Sequence, residues 1–326
     1  MPSPRHILKP PPLRRGDTIG IVAPASNIQR EMLDAGIAQL RELGYEVVVG
    51  ESVYEQDLYF AGSPKSRAHD LMQMFERDDV RAIVCARGGY GSNYLLPLLD
   101  LDVIQRHPKI LVGYSDLTSL LTWINDETGL VTFHGPMATK DFAHTDGVDL
   151  DSWFAAMEGS GEVRLSSAQF SGLKTLIPGD AQGTLYGGCL SILAASLGTR
   201  YEFETGGTIL FLEDIGTKPY QVDRMLMQMK YAGAFEGVRG IVFGEMLDCV
   251  QPGGQQYTLE EVIVRVLGDL KVPIAYGLSS GHVRRNNITL PIGVRASLQA
   301  AADSVTLKIL EPAVSAAPAR ASSTRI

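Results

Sequence analysis

A chain of 326 residues, 45% hydrophobic and 20% charged, is long enough for two domains with a sizeable core and has the composition of a soluble globular protein. Its 29 basic and 37 acidic residues leave a net charge of −8, which argues against a nucleic-acid-binding surface. No apolar run approaches the roughly 18–20 residues of a membrane span, and the proline-rich, basic start MPSPRHILKPPPLRRGD lacks the apolar core of a leader, so a cytoplasmic protein with no membrane partner is expected.

From the N-terminus, IGIVAPAS reads as a buried strand ending in a small-residue loop, and REMLDAGIAQLRELG as a helix closed by Gly44. YEVVVG is the next strand, KSRAHDLMQMFERDD an amphipathic helix, and VRAIVCARGGYGS a strand entering a glycine-rich loop. A helix around NYLLPLLDL, the strand KILVGY, the helix LTSLLTWIND and the strand LVTFHGP complete the series. Uniformly apolar strands alternating with helices predict an α/β fold, a doubly wound, mostly parallel, Rossmann-like sheet over residues 15–140. Ligands of such sheets bind at the carboxyl ends of the strands. That rule singles out Ala25-Ser26, Arg87-Gly88-Gly89-Tyr90, Ser115-Asp116 and His134-Gly135.

Residues 161–182 lack periodicity and read as a linker. Beyond them, GTLYGGCLSILAASLGT enters a helix from a glycine-rich loop, TILFLEDIG is a buried strand, and KPYQVDRMLMQMKYAG is a helix with Pro219 in its first turn. GIVFGEM, PIAYGL, NITLPIG and VTLKIL are further strands, the last two short and antiparallel. The expected layout is an N-terminal domain over 1–160, the linker, a smaller mixed α/β C-terminal domain over 183–312, and a disordered tail over 313–326. The cysteines Cys85, Cys189 and Cys249 form no CxxC pair, and Cys85 inside AIVCA reads as a buried free thiol.

The stretch KILVGYSDLTSLL, residues 109–121, breaks from strand to helix at Ser115. Such a corner mounts a nucleophile with the helix's first amides aimed at the reacting carbonyl oxygen, but Ser115 or Asp116 reads equally as an ordinary helix cap. The corner resembles G-x-S-x-G with Leu117 in place of the second glycine. In RGGYG, paired glycines allow close backbone approach to a ligand, which makes their amides candidates for a second oxyanion donor, and a simple tight turn is the competing reading. The dinucleotide fingerprint is incomplete there, because Tyr94 stands at the third glycine position. Of the histidines His6, His69, His107, His134, His144 and His282, only His134 and His282 follow a strand in the manner of a general base. None forms H-x-x-x-H or H-E-x-x-H, so no metal is expected. Glu213 and Asp214 both end the strand TILFL, and spacing does not choose between them.

GYSD, FLEDIG and SSGH in that order, with IGIVAPAS, RGGYG, FHGP, GGCLS and LGT, resemble the serine LD-carboxypeptidases, the family that includes the microcin C self-immunity peptidases. The resemblance runs from GIVAPAS to PIG near residue 293. It implies Ser115 as nucleophile, Glu213 as acid and His282 as base, with the amides of Gly89 and Asp116 as oxyanion donors. Arg87, Gly88 and Tyr90 are the accompanying candidates for substrate contact. The implied reaction is removal of a C-terminal D-amino acid from a murein tetrapeptide during cell-wall recycling, by a homodimer using no cofactor, at a site between the two domains. Two departures touch substrate fit: Cys189 stands where the family commonly has Asn, and Pro64 where it commonly has Asp. The competing readings are a microcin C-type acyl-peptide amidase on the same three residues and a non-catalytic binder of D-peptides.

Overall fold

The computed structural model describes residues 7–159, 163–251, 253 and 255–316. The first sheet is built from β1 (Thr18–Val22), β2 (Glu46–Val49), β3 (Val80–Cys85), β4 (Ile110–Gly113) and β5 (Thr132–His134). These strands run parallel in the order β2-β1-β3-β4-β5. The helices α1 (Arg30–Glu42), α2 (Pro64–Glu76), α3 (Leu101–Arg106), α4 (Thr118–Thr128) and α5 (Leu150–Glu158) connect or follow them.

Side-chain alternation explains why these strands are apolar throughout. Ile19, Ile21, Ala82, Val84, Ile110 and Val112 face one core, while Val22, Ile83, Cys85 and Leu111 face a second core on the opposite side. The strand order reverses between β1 and β3, and the crevice beyond their carboxyl ends is where such sheets bind ligands.

The remainder comprises β6 (Val163–Ser166), β7 (Lys174–Ile177), β8 (Gly179–Cys189), α6 (Leu190–Ser196), β9 (Thr208–Glu213), α7 (Pro219–Tyr231) and β10 (Gly240–Gly244). After these come α8 (Leu259–Leu267), β11 (Ile274–Leu278), β12 (Leu290–Ile292), β13 (Val294–Ala300) and β14 (Val305–Ile309). An eight-stranded mixed sheet, β6-β14-β13-β8-β9-β10-β11-β7, contains all of these strands but β12. The expected linker is therefore structured from residue 163 onward: β6, β7 and the first part of β8 are strands of this sheet. Ala313 and Val314, expected in a disordered tail, are buried, and the Ser315 amide donates to the Pro10 carbonyl at 2.8 Å. Residues 317–326 of that tail lie outside the described residues.

β12 is the sixth strand of the first sheet, antiparallel to β5, whereas β13 pairs with β8 in the second. The chain thus passes between sheets across Gly293 (φ +96°), where a Cβ would lie 2.2 Å from Asn125 Nδ2. One apolar core includes residues of both sheets, from Ile19 and Phe133 to Phe211 and Leu298. The sheets also meet where Gly188 presses on α4, with the Cys189 amide donating to Thr118 Oγ1 at 3.0 Å. Among the described residues no helix is long and apolar enough to cross a membrane.

Candidate active site

β4 ends at Gly113, Tyr114 is extended, and Ser115 turns sharply into a 3-10 turn (Ser115–Leu117) that leads into α4. Ser115 has φ +63°, a left-handed conformation that costs a non-glycine residue about 1–2 kcal/mol. Leu117 accounts for the missing second glycine of the corner. Its side chain is fully buried and covers Gly113, where a Cβ would stand 3.1 Å from Leu117 Cγ. The amides that open a helical segment point toward its start, the end at which Ser115 sits, and of these the Leu117 amide donates to the Tyr114 carbonyl at 3.3 Å.

The glycine loop after β3 lies against this corner. A Cβ at Gly88 would approach Ser115 Cβ to 2.9 Å, and one at Gly89 (φ +107°) would meet Ser26 Oγ at 2.3 Å. Asp116 ties the two segments together: Oδ2 accepts from the Ser92 amide at 2.8 Å, and its carbonyl accepts from Ser92 Oγ at 2.7 Å. Burial raises the Asp116 carboxyl above its ordinary value, against the hydrogen bonds from Ser92. Beneath the loops, the fully buried Arg67 guanidinium donates to the carbonyls of Pro24, Gly62 and Gly91.

The second sheet contributes Glu213, at the end of β9, and His282, in the loop after β11. Glu213 is 1% exposed and His282 9%. Glu213 Oε2 accepts from the His282 amide at 3.0 Å and lies 2.7 Å from His282 Nδ1. A carboxylate on Nδ1 fixes the tautomer with the proton there, leaving Nε2 as the basic nitrogen. Burial opposes ionisation of Glu213, but the charge of His282 and its hydrogen bonds outweigh this and hold the carboxyl below its usual range. Close approach at Gly281 (φ +91°) brings the loop to the acid, since a Cβ there would lie 2.6 Å from Glu213 Cδ.

Asp214, on the opposite face of the strand end, caps local backbone. It accepts from the Ser191 and Ile215 amides at 2.8 Å each and from Thr217 Oγ1 at 2.9 Å. His134, the other histidine candidate, is fully buried against Phe211, and burial drives its pKa down to about 4 despite the pull of Glu213.

Ser115 and His282 face one cavity of about 540 Å³, together with Arg87, Gly88 and Gly89. Among the described residues no hydrogen bond joins Ser115 Oγ to the imidazole, as is common for such pairs before substrate binds. Tyr90 is not a wall of this cavity; its ring lies in an aromatic group with Tyr59, Phe60 and Tyr94. His144, expected in a polar loop, reaches the cavity, whereas His6 lies outside the described residues. Pro64 occupies the first position of α2 behind the Ser63 cap, and the buried Cys189 caps α6, its Sγ 3.4 Å from Ser191 Oγ.

Three residues that sequence reasoning did not single out hold the site. The Tyr114 ring meets the His282 ring edge-on, with centroids 5.1 Å apart. Asn287 Oδ1 accepts from the Gly281 amide at 2.9 Å, and its Nδ2 donates to Asp141 Oδ1 at 3.1 Å. Asp141 also accepts from the Met137 amide at 2.8 Å, and burial raises its pKa to about 6. No motif marks Asn287 or Asp141; an asparagine and an aspartate in polar segments have no local signature. Tyr114 sits inside GYSD, where its neighbour draws the attention.

A strand–serine–helix corner facing an imidazole held by a buried carboxylate is the arrangement of a serine hydrolase. Models of the LD-carboxypeptidase N-terminal and C-terminal domains match residues 19–135 and 182–298. The chain belongs to the LD-carboxypeptidase family. It is 39% identical over 300 residues to the probable murein peptide carboxypeptidase of Bacillus subtilis, covering 90% of this chain and 92% of that one. The Escherichia coli microcin C7 self-immunity protein MccF is 31% identical, covering 90% and 93%. A wild-type apo structure of MccF superposes with a TM-score of 0.87 over 94% of this chain and 100% of that one, at 28% identity. The muramoyltetrapeptide carboxypeptidase of Oxalobacter formigenes superposes at 0.80 over 90% and 99%, with 30% identity.

Proposed function

We propose that this peptidase removes the C-terminal D-amino acid, D-alanine, from murein tetrapeptide by cleaving an L,D-peptide bond, with Ser115 as nucleophile, His282 as base and Glu213 as the acid that orients it. The observation that carries the reading is the strained Ser115 corner sharing a cavity with an imidazole already bound to a buried carboxylate. The murein carboxypeptidase names of the relatives support the substrate class.

In this mechanism Ser115 Oγ attacks the scissile carbonyl carbon as His282 Nε2 takes its proton. Glu213 stabilises the resulting imidazolium, and the oxyanion is held by the amides of Asp116 and Gly89. Collapse of the tetrahedral intermediate breaks the C–N bond, with His282 passing its proton to the leaving nitrogen. Water, activated by the same imidazole, then hydrolyses the acyl-enzyme and restores Ser115. The same reading makes the protein a cytoplasmic homodimer acting in cell-wall peptide recycling.

Incubation of the wild type and Ser115→Ala with murein tetrapeptide, followed by mass spectrometry, tests this. D-alanine is released by the wild type, and the variant turns over about 10⁴–10⁶ times more slowly. Wild-type turnover by the variant rules out this nucleophile. Release of nothing from tetrapeptide, with cleavage of an acylated peptide nucleotide, gives the protein the microcin-type amidase activity instead.

A further inference from the structure

The catalytic cavity is asymmetric in charge. Arg87, Lys140 and two imidazoles line it, and among the described residues no aspartate or glutamate does. Arg87 stands on the glycine-loop side and already donates from Nη1 to the Asn27 carbonyl at 3.1 Å. Lys140 is half-buried, with Nζ over the Tyr114 ring at 5.6 Å from its centroid. Among the described residues no carboxylate lies within ion-pair distance of Lys140. The neighbouring Asp141 is turned into the core and engaged by the Met137 amide and Asn287. An ammonium on the wall of a catalytic cavity, set on an aromatic face and without an ion-pair contact of its own among the described residues, is complementary to a ligand carboxylate; its charged neighbour in the chain, Asp141, acts on it only through space.

We infer that Lys140 anchors the free C-terminal carboxylate of the substrate and so selects carboxypeptidase over endopeptidase cleavage. The inference rests on the function proposed above and adds to it the group that reads the chain end. Its position follows from the reaction geometry. His282 must hand its proton to the leaving nitrogen, and in an α-amino acid the carboxylate is separated from that nitrogen by a single carbon. The anchoring cation therefore belongs on the imidazole side of the cavity. Tyr114 links the two, since its ring carries Lys140 on one face and meets the His282 ring at 5.1 Å. Arg87 lies instead beside Gly88 and Gly89, where the oxyanion is stabilised.

The experiment compares kcat/KM for a murein tetrapeptide with a free terminal carboxylate and for its C-terminal carboxamide, using the wild type, Lys140→Met, Lys140→Arg and Arg87→Met. The wild type prefers the acid by about 10- to 100-fold, the range expected for one charge-assisted contact. Lys140→Met brings that ratio close to one by slowing the acid and sparing the amide, and Lys140→Arg restores part of it. Because each variant is compared with itself on two peptides, a loss of folded enzyme cancels. A ratio unchanged in Lys140→Met, or abolished only in Arg87→Met, overturns the assignment. Absence of turnover of both peptides by the wild type overturns the proposed substrate class and the assignment with it.

Discussion

The corner that presents Ser115 and the pair that faces it come from different sheets and reach their geometry by different routes. The corner is local: β4, an extended Tyr114, a left-handed Ser115 and a helical turn succeed one another within a few residues, with Leu117 folded over Gly113. The pair is assembled from segments 69 residues apart in sequence. Glu213 ends β9, His282 follows β11, and β10 lies between those strands in the sheet. The corner holds its strain against the packing around it, whereas the pair depends on a close backbone approach at Gly281 and on Asn287 fixing that glycine's amide. A strained local element is robust in position but costly in energy. A pair assembled across strands is stabilised by its charge and hydrogen bonds and is sensitive to displacement.

Among changes that leave Ser115, Glu213 and His282 in place, moving the assembled pair should have the largest consequence. Gly281→Ala places a Cβ where the Glu213 carboxyl now lies, in a backbone region that alanine avoids. We expect kcat to fall about 100-fold or more while circular dichroism stays native, since small displacements of catalytic groups carry costs of that order. Wild-type kcat in this variant would show that the pair tolerates displacement and erase the contrast with the corner.

The network behind the pair should reveal itself through pH. Asp141 has its pKa raised from 3.8 to about 6 in the folded protein, chiefly by burial. The native state therefore holds this proton more tightly than the unfolded chain does. Its contribution to stability is complete below the unfolded pKa and is lost as pH rises through about 6. Wild-type stability relative to Asp141→Asn should fall by about 2–3 kcal/mol between pH 4 and 7. Urea melts at several pH values read this directly, and a difference independent of pH would remove Asp141 as a titrating member of the network. Glu213 has the opposite sign: its lowered pKa contributes stability above the unfolded value, which is lost as pH falls through the folded one.

The smallest effect on stability is expected at the corner itself. Ser115→Gly removes the proposed nucleophile but also the left-handed strain, so this variant should be more stable than Ser115→Ala by about 1 kcal/mol. Denaturation midpoints of the two variants separate this outcome from a corner without strain, for which they coincide.

Legibility in the sequence follows the same division. The first sheet could be read because its strands are covered on both faces and every position in them is apolar. The region of β6, β7 and early β8 could not. Exposed and half-buried positions intersperse there, as in GDAQG, and Gly183 is present because a Cβ would lie 2.5 Å from the Gly207 carbonyl oxygen. The return of β12 to the first sheet was equally hidden, because strand pairing over such a distance leaves no mark on local periodicity.

For the site, the order of residues alone determined the strand–serine–helix corner and a short set of partners, since local backbone geometry and cap chemistry are written in neighbouring residues. It left Glu213 level with Asp214, and His282 level with His134, until the motifs were compared with a family. Tertiary structure separated them by burial and direction. Glu213 and Asp214 leave the same strand end on opposite faces, one toward His282 and the other toward the Ser191 amide of α6. His134 is sealed beside Phe211, while His282 reaches the cavity. Only the tertiary fold could set Asn287 on Asp141, or Lys140 on Tyr114, because which polar side chains become neighbours depends on packing between segments apart in sequence and has no local physical signature.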